Sequence, residues 1–476
     1  MANAISPVFE KATYDKVAWR LIPFLFLCYV VAFLDRVNVG FAKLQMAGDL
    51  QFSDAMYGFG AGVFFIGYFL FEVPSNVILE RVGARIWIAR IMITWGIISS
   101  AFMFTGDIRW GVIATWFNCT DAEFTFYFLR FWLGVAEAGF FPGIILYLTY
   151  WFPASRRAKV VAMFMTAIAV SNAIGSPVSG AIMQYMDGIQ GWRGWQWLFL
   201  LEGIPSVIIG ALVFVLLDDG PKKAKWLTDQ EKNMISQRLD EDEAGKQELG
   251  KGHSFMDAFR DGRVWALSLV YFCGVVCFYA VNFWMPTIVQ EAGIAKTEYL
   301  KVGLLSFIPW GLAAVAMVVW GAHSDRTQER RWHAAGGLLL AVGGMIGLAL
   351  VAIFSNPERL KENAEAFVLV GQNKVVMSLV VLSMVTVGIL SWVATFWSLP
   401  TAFLSGTAAA AGIAWINSVG NLGGHFGPDL IGRIRTASGG ASESAFLALA
   451  AIGFIGIVVI LLLPRTQRSK VAAQTG

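Results

Sequence analysis

Twelve stretches of mainly apolar residues follow one another along this chain, each about 20 residues or longer, the length a helix needs to cross the hydrocarbon layer of a bilayer. They run roughly over 19–40, 55–79, 86–106, 123–149, 158–183, 194–217, 264–290, 299–322, 332–354, 375–398, 407–431 and 443–464. No soluble core could hide that much oil. Hydrophobic residues make up 57% and charged residues 14%, against roughly 45–50% and about 25% in soluble globular chains. The chain is therefore expected to be an all-α membrane protein with twelve transmembrane helices. A net charge of +3 leaves no basic surplus for nucleic acid. Three of the four cysteines (Cys28, Cys273, Cys277) lie in apolar runs, where a thiol behaves as a small hydrophobe; Cys119 is the fourth.

One long polar segment interrupts the series. Residues 218–262 carry Asp218, Asp219, Lys222, Lys223, Lys225 and the acidic run Asp240-Glu241-Asp242-Glu243. The expected organisation is a six-helix bundle over 1–217, a cytoplasmic linker over 218–262 and a second six-helix bundle over 263–476. Lys and Arg outnumber their counterparts by roughly two to one in the segments that share a side with the termini. That asymmetry places both termini in the cytoplasm of a multi-pass plasma (inner) membrane protein.

The halves echo each other. Glu80-Arg81-Val82-Gly83-Ala84-Arg85 follows the second span, and Asp325-Arg326-Thr327 follows the eighth. Ser171-Asn172 with Gly175-Ser176-Pro177 in the fifth span parallels Gly420-Asn421 with Gly427-Pro428 in the eleventh. Both offsets are near ~250 residues, as in parallel-repeat transporters whose site lies between two halves. The Glu80, Arg81, Arg85 and Asp325, Arg326 loops are candidate conformational gates.

Ionisable residues inside a span are costly and mark function. Asp35 and Arg36 sit at the outer end of the first span; Arg130 and Glu137 sit in the fourth. Seven residues separate Arg130 from Glu137, almost two turns, so they share a helix face about 10 Å apart along the axis. Asp35 and Arg36 point about 100° apart, so one can face another helix while the other faces a cavity. A guanidinium in a dry cavity can grip a carboxylate through two parallel hydrogen bonds. A carboxyl held out of water favours its protonated form and can carry a proton. Together these groups describe a proton-coupled carrier of small organic anions. Glu72 and Glu202 lie beside Pro74 and Pro205 and read as structural partners of carbonyls freed by proline. Tyr68, Tyr279, Trp284, Trp392 and Trp397 are candidate cavity walls, with Asn282 beside Tyr279. Asn417 and Asn421, one turn apart, could donate to a carboxylate or hydroxyl. No cluster of His, Cys and acids has ligand spacing, so no metal or cofactor is expected. Neither a phosphate-binding loop nor a catalytic triad can be assembled, so the chain does not read as an enzyme.

Several segments resemble a known family. The acid–Arg loops at 80–85 and 325–331 resemble the signature of the major facilitator superfamily. Leu34-Asp35-Arg36-Val37-Asn38, Phe71-Glu72-Val73-Pro74-Ser75-Asn76, Glu137-Ala138-Gly139-Phe140-Phe141-Pro142-Gly143, Tyr150-Trp151-Phe152-Pro153 and Leu201-Glu202-Gly203-Ile204-Pro205 resemble its anion:cation symporter family. The likeness covers nearly the whole chain and is densest in the first half. It implies the major facilitator fold with two pseudo-symmetric halves, working as a monomer. It implies a substrate-binding Arg36 with Tyr68 nearby, proton-coupling Asp35 and Glu137 with Arg130 as their partner, and a substrate-contacting Asn421 or Asn417. The expected function is proton symport of a small organic carboxylate by alternating access, an aromatic or hydroxylated acid. A sugar acid (galactonate- or tartrate-like) is the alternative, as is a neutral solute or drug carried by the same fold.

Overall fold

A computed structural model describes residues 6–249, 260–355, 373–403 and 406–464. The expected polar loop at 355–374 and the end of the linker lie almost entirely outside these residues. Among the described residues there is no strand, and ten helices are long and apolar enough to cross a membrane. The fifth and eleventh expected spans are each divided. Ala154–Met165 is followed by Ala167–Tyr185, and Gly406–Asn421 by Gly423–Ala437. Their Gly, Ser and Asn residues lower the hydropathy, and both spans pack between the halves, where polar groups can find partners. Including these two, the fold is that of twelve spans in two six-helix halves.

Two further breaks fall beside the ionisable residues. The first span is Pro7–Val37 continued by Val39–Asp49, with the joint at Asn38. The fourth is Asp121–Glu137 continued by Phe140–Thr149. Its start is fixed by Thr120, whose hydroxyl accepts from the Glu123 N–H at 3.1 Å. Its break is fixed by Gly139 at φ 85°, a left-handed conformation that a side chain would strain. A Cβ there would also run into the Ser75 hydroxyl. That hydroxyl donates to the freed Ala138 carbonyl at 2.6 Å and accepts from the Trp87 indole at 2.8 Å. Irregular backbone at membrane depth is tolerated only where such partners or a cavity satisfy it.

Within the first half, the second span (Asp54–Val82) packs on the fourth, and the third (Ala84–Ala101) on the sixth (Gly194–Leu216). Within the second, the ninth span (Arg331–Phe354) lies between the tenth (Lys374–Phe396) and the twelfth (Glu443–Leu462). The halves meet along the fifth and eighth spans and along the second and eleventh. A polar layer joins them on the side opposite the termini. Asp54 accepts from Lys43 and from Arg435, each at 2.8 Å, and Arg435 also reaches Glu291 at 2.6 Å. Lys43 lies 4.0 Å from the centre of the Trp284 ring, and the Tyr57 hydroxyl donates to the Phe283 carbonyl at 3.0 Å.

On the termini side, the helix Asp229–Leu249 straps the first half. Glu10 binds Arg156 at 3.1 Å and Arg238 at 2.8 Å, and Lys16 binds Glu231 at 2.9 Å. Trp226 stacks on Trp151 with ring centres 5.7 Å apart. The 107–121 segment carries the short helix Val112–Trp116, held by the Asp121 carboxylate, which accepts from the Trp110 and Gly111 N–H groups.

Candidate functional site

A cavity of about 810 Å³, counting its mouth, lies between the halves. It runs from Arg36 toward the termini side, past Phe141, Met165 and Trp397. Arg36, Tyr68, Tyr279, Asn417 and Asn421 all line it, so five of the six expected substrate contacts share one chamber. Tyr29, Phe33, Phe65, Tyr271, Phe278 and Trp392 complete most of the wall.

Arg36 is its one charged lining residue among those described. One terminal nitrogen donates to the Tyr279 hydroxyl at 2.9 Å, and the other contacts Glu137 in a close ion pair. The guanidinium lies 5.2 Å from the Phe64 ring centre and 5.7 Å from that of Tyr68, in the range of cation–π attraction. Its Nε has no hydrogen-bond partner among the described residues. A guanidinium has five donors in a planar fork, so this one keeps donor capacity for an incoming anion.

Asp35 points away from the cavity. It is 2% exposed and accepts from the Trp95 indole at 2.9 Å, from the Ser99 hydroxyl at 2.8 Å and from the Ser206 hydroxyl in a shorter contact. The third and sixth spans thus hold it with neutral donors. The 100° between neighbouring residues sends Asp35 into its own half and Arg36 into the shared chamber.

Several expectations need correction. Arg130 makes no ion pair with Asp35 or Glu137 among the described residues, although its charge still acts on Glu137 across the helix face they share. Its guanidinium donates to the Ala61 carbonyl at 2.8 Å and lies over Phe64 and Phe283, at 5.1 and 5.5 Å from their centres. The fourth span is rotated so that Glu137, nearer its break, reaches Arg36 while Arg130 faces the second span. Asn282 does not line the substrate chamber. It donates to the Asn172 side chain at 2.8 Å and borders a separate small cavity with Ser176 and Ser179.

The candidate gate loops make no polar contact across the halves among the described residues. Arg85 pairs with Asp219 at 3.3 Å, and Asp325 with Arg330; Glu80, Arg81 and Arg326 are exposed. Besides the Arg36–Tyr279 and Asn282–Asn172 bonds, the halves are joined by the Asp54 layer with Lys43 and Arg435, and by Glu72. Glu72 accepts from the Asn417 amide at 2.9 Å and the Ser418 hydroxyl at 3.0 Å. It is 4% exposed, and it partners the eleventh span rather than a proline-freed carbonyl. No local signal in the sequence pairs residues ~345 positions apart; only the acid's depth in its span marks it as special.

The family model described as the Major Facilitator Superfamily matches residues 25–428. A protein of Agrobacterium vitis named as a tartrate transporter is 46% identical over 98% of this chain and 94% of its own length. A protein of Pseudomonas putida named as the metabolite transport protein NicT is 44% identical over 95% of each. Among solved structures, the partially occluded inward open conformation of the xylose transporter XylE from E. coli superposes with a TM-score of 0.71. It has 14% identity and covers 95% of this chain and 99% of its own.

Proposed function

Because this chain belongs to the Major Facilitator Superfamily and is a multi-pass membrane transporter, we propose that it carries a small hydroxylated carboxylate of the tartrate type, together with protons. Residues 1–217 and 263–476 move against each other around the Arg36 chamber, with 218–262 between them. The working unit is a monomer in the plasma membrane with both termini in the cytoplasm. In that orientation the described state faces inward, closed outside by the Asp54 layer.

One observation carries this reading: Arg36 sits between Glu137 of its own half and Tyr279 of the other, at the end of the chamber. An anion that takes the fork competes with Glu137 for the same guanidinium. A displaced, ionised Glu137 would be a bare buried charge, which costs several kcal/mol. Protonating Glu137 removes that cost, so anion and proton bind together. Asp35, next to Arg36 in the chain but without an ion-pair partner among the described residues, is a second acid of the same circuit. Importing a dianion against a negative interior costs about 2.3 kcal/mol per charge per 100 mV, so two protons are the least that make uptake electrically neutral.

A hydroxylated substrate fits better than an aromatic one. The ring-rich wall engages itself: Tyr29 packs on Phe164 at 4.5 Å, Phe65 on Tyr279 at 4.4 Å and Tyr271 on Trp397 at 4.8 Å. Asn417, Asn421 and the tyrosine hydroxyls offer hydrogen bonds for hydroxyl groups. The relative named as a tartrate transporter supports the same class.

Uptake of labelled tartrate into proteoliposomes is the test. An acid-outside gradient should drive accumulation, and excess phthalate should compete weakly. Uptake indifferent to the gradient would refute proton coupling. Equal protection from heat by neutral polyols and by carboxylates would favour a neutral-solute facilitator.

A further inference from the structure

Glu202 is a buried acid that the anion circuit above does not use. It is 5% exposed in the sixth span. Its Oε1 accepts from the Ser179 hydroxyl at 2.7 Å, and its Oε2 has no partner among the described residues. Four residues on, one helical turn, stands Ser206, whose hydroxyl binds Asp35. Residues at that spacing lie side by side on one face, so the two carboxyls occupy adjoining positions between the first and sixth spans. Neither has a Lys or Arg within ion-pair reach among the described residues, and the side chains that act on Glu202 are Ser179, Asp35 and Asn38.

The surroundings point to a hydrogen-ion site. Ser179 also borders a second, narrow cavity, about 290 Å³ counting the open space at its mouth and with room for little more than a single water, together with Asn172, Ser176 and Asn282. This cavity lies beyond Arg36 from the substrate chamber, along Val37 and Phe41 of the first span and Pro286 of the seventh. Among the described residues the Asn282 oxygen is buried without a partner, and the Asn38 side chain, buried and outside ordinary hydrogen-bond distance of any described group, lies near enough to act on Glu202. In a dry interior, unsatisfied polar atoms are expensive unless water or a shared proton satisfies them.

We propose that Glu202 is a further proton-carrying carboxyl of this transporter beyond Glu137 and Asp35, coupled to Asp35 and served through the Asn172–Ser176–Asn282 cavity rather than through the substrate chamber. This rests on the proton-coupled reading above. The proton adds to the free Glu202 Oε2 from water and leaves to water; no other bond changes. Two adjoining carboxylates with no counter-cation repel each other, so binding at one is felt at the other. Asp35 adjoins Arg36 in the chain, which ties this pair to the anion.

Infrared difference spectra of the full-length protein in nanodiscs, recorded between acid and neutral pH, test this without any substrate. The wild type should show protonated-carboxyl bands. Glu202→Gln should delete one and shift the band that Asp35→Asn deletes. Ser179→Ala should move the Glu202 band without removing it, and serves if Glu202→Gln melts early. A Glu202→Gln spectrum superimposable on that of the wild type, from protein with an unchanged melting temperature, overturns the proposal. In proteoliposomes with tartrate as the probe, Glu202→Gln should move about one proton fewer per tartrate, with tartrate binding within about twofold of wild type. Wild-type tartrate uptake without protons would overturn the proton-coupled reading and this proposal together. A coupled wild type whose proton count survives Glu202→Gln would overturn the Glu202 assignment alone.

Discussion

The Arg36 guanidinium donates to the Tyr279 hydroxyl at 2.9 Å, and these two residues belong to opposite halves of the transporter. The fork is thus held by a carboxylate on one side and a neutral oxygen on the other. Tyr279→Phe removes a hydrogen bond to a charged group, worth about 1.5–3 kcal/mol. Tartrate affinity should fall roughly 10-fold or more, measured by equilibrium binding, while proton coupling persists.

Arg36→Lys keeps the charge and loses the planar fork. A point charge cannot hold Glu137, Tyr279 and a substrate carboxylate at once. Binding should weaken by roughly two orders of magnitude, and tartrate should no longer raise the melting temperature. A variant that binds as tightly as wild type would remove Arg36 from the site.

Glu137→Gln leaves Arg36 without its buried counter-charge and without a competitor. Tartrate should bind at least as tightly, and counterflow exchange should continue. Accumulation driven by an acid-outside gradient should be lost, because the group that exchanges anion for proton can no longer titrate. Gradient-driven accumulation at wild-type rates would show that Glu137 is not the coupling acid.

Asp54→Asn strikes the layer that closes the side opposite the termini. Lys43 and Arg435, 7% and 5% exposed, would face each other without the shared carboxylate. Losing one partner of a buried charge network costs about 3–5 kcal/mol, and here only the described state bears that cost. The population should shift toward the alternate state. A cysteine placed at Ala55, in a background lacking the four native cysteines, should then label faster with an impermeant maleimide.

Acid should loosen the strap on the termini side. Partial burial works to raise the Glu231 carboxyl, but Lys16 and the Thr228 N–H hold it below the ordinary glutamate value. Its contribution is therefore complete above the usual carboxylate range and is lost as pH falls through the lowered value. Trp226 emission should change in that acid range, and the change should flatten in Glu231→Gln.

Much of this was legible in the residues. Spans show because 20 apolar residues have no other use, and Arg36 stood out because a guanidinium in oil needs a reason. Which way each acid faces was not legible. Asp35 and Arg36 are neighbours in sequence, yet rotation of the first span sends one into its own bundle and the other into the chamber. The same kind of rotation turns Arg130 to the Ala61 carbonyl instead of an acid. Asn282 flanks Tyr279 by three positions and still faces a different cavity. Glu72 was read from its proline, a local cue, whereas its partners lie in the eleventh span. Side-chain partners across helices depend on how the bundles are packed, which the hydropathy pattern does not encode.

The Arg, Asp and Glu of the anion circuit all belong to the first half, while the second half lines the chamber with uncharged side chains alone among the described residues. Motor and palate are therefore separable. Drift or engineering can repaint Tyr271, Trp392, Asn417 and Asn421 to admit another cargo while the energetic engine on the facing bundle stays intact.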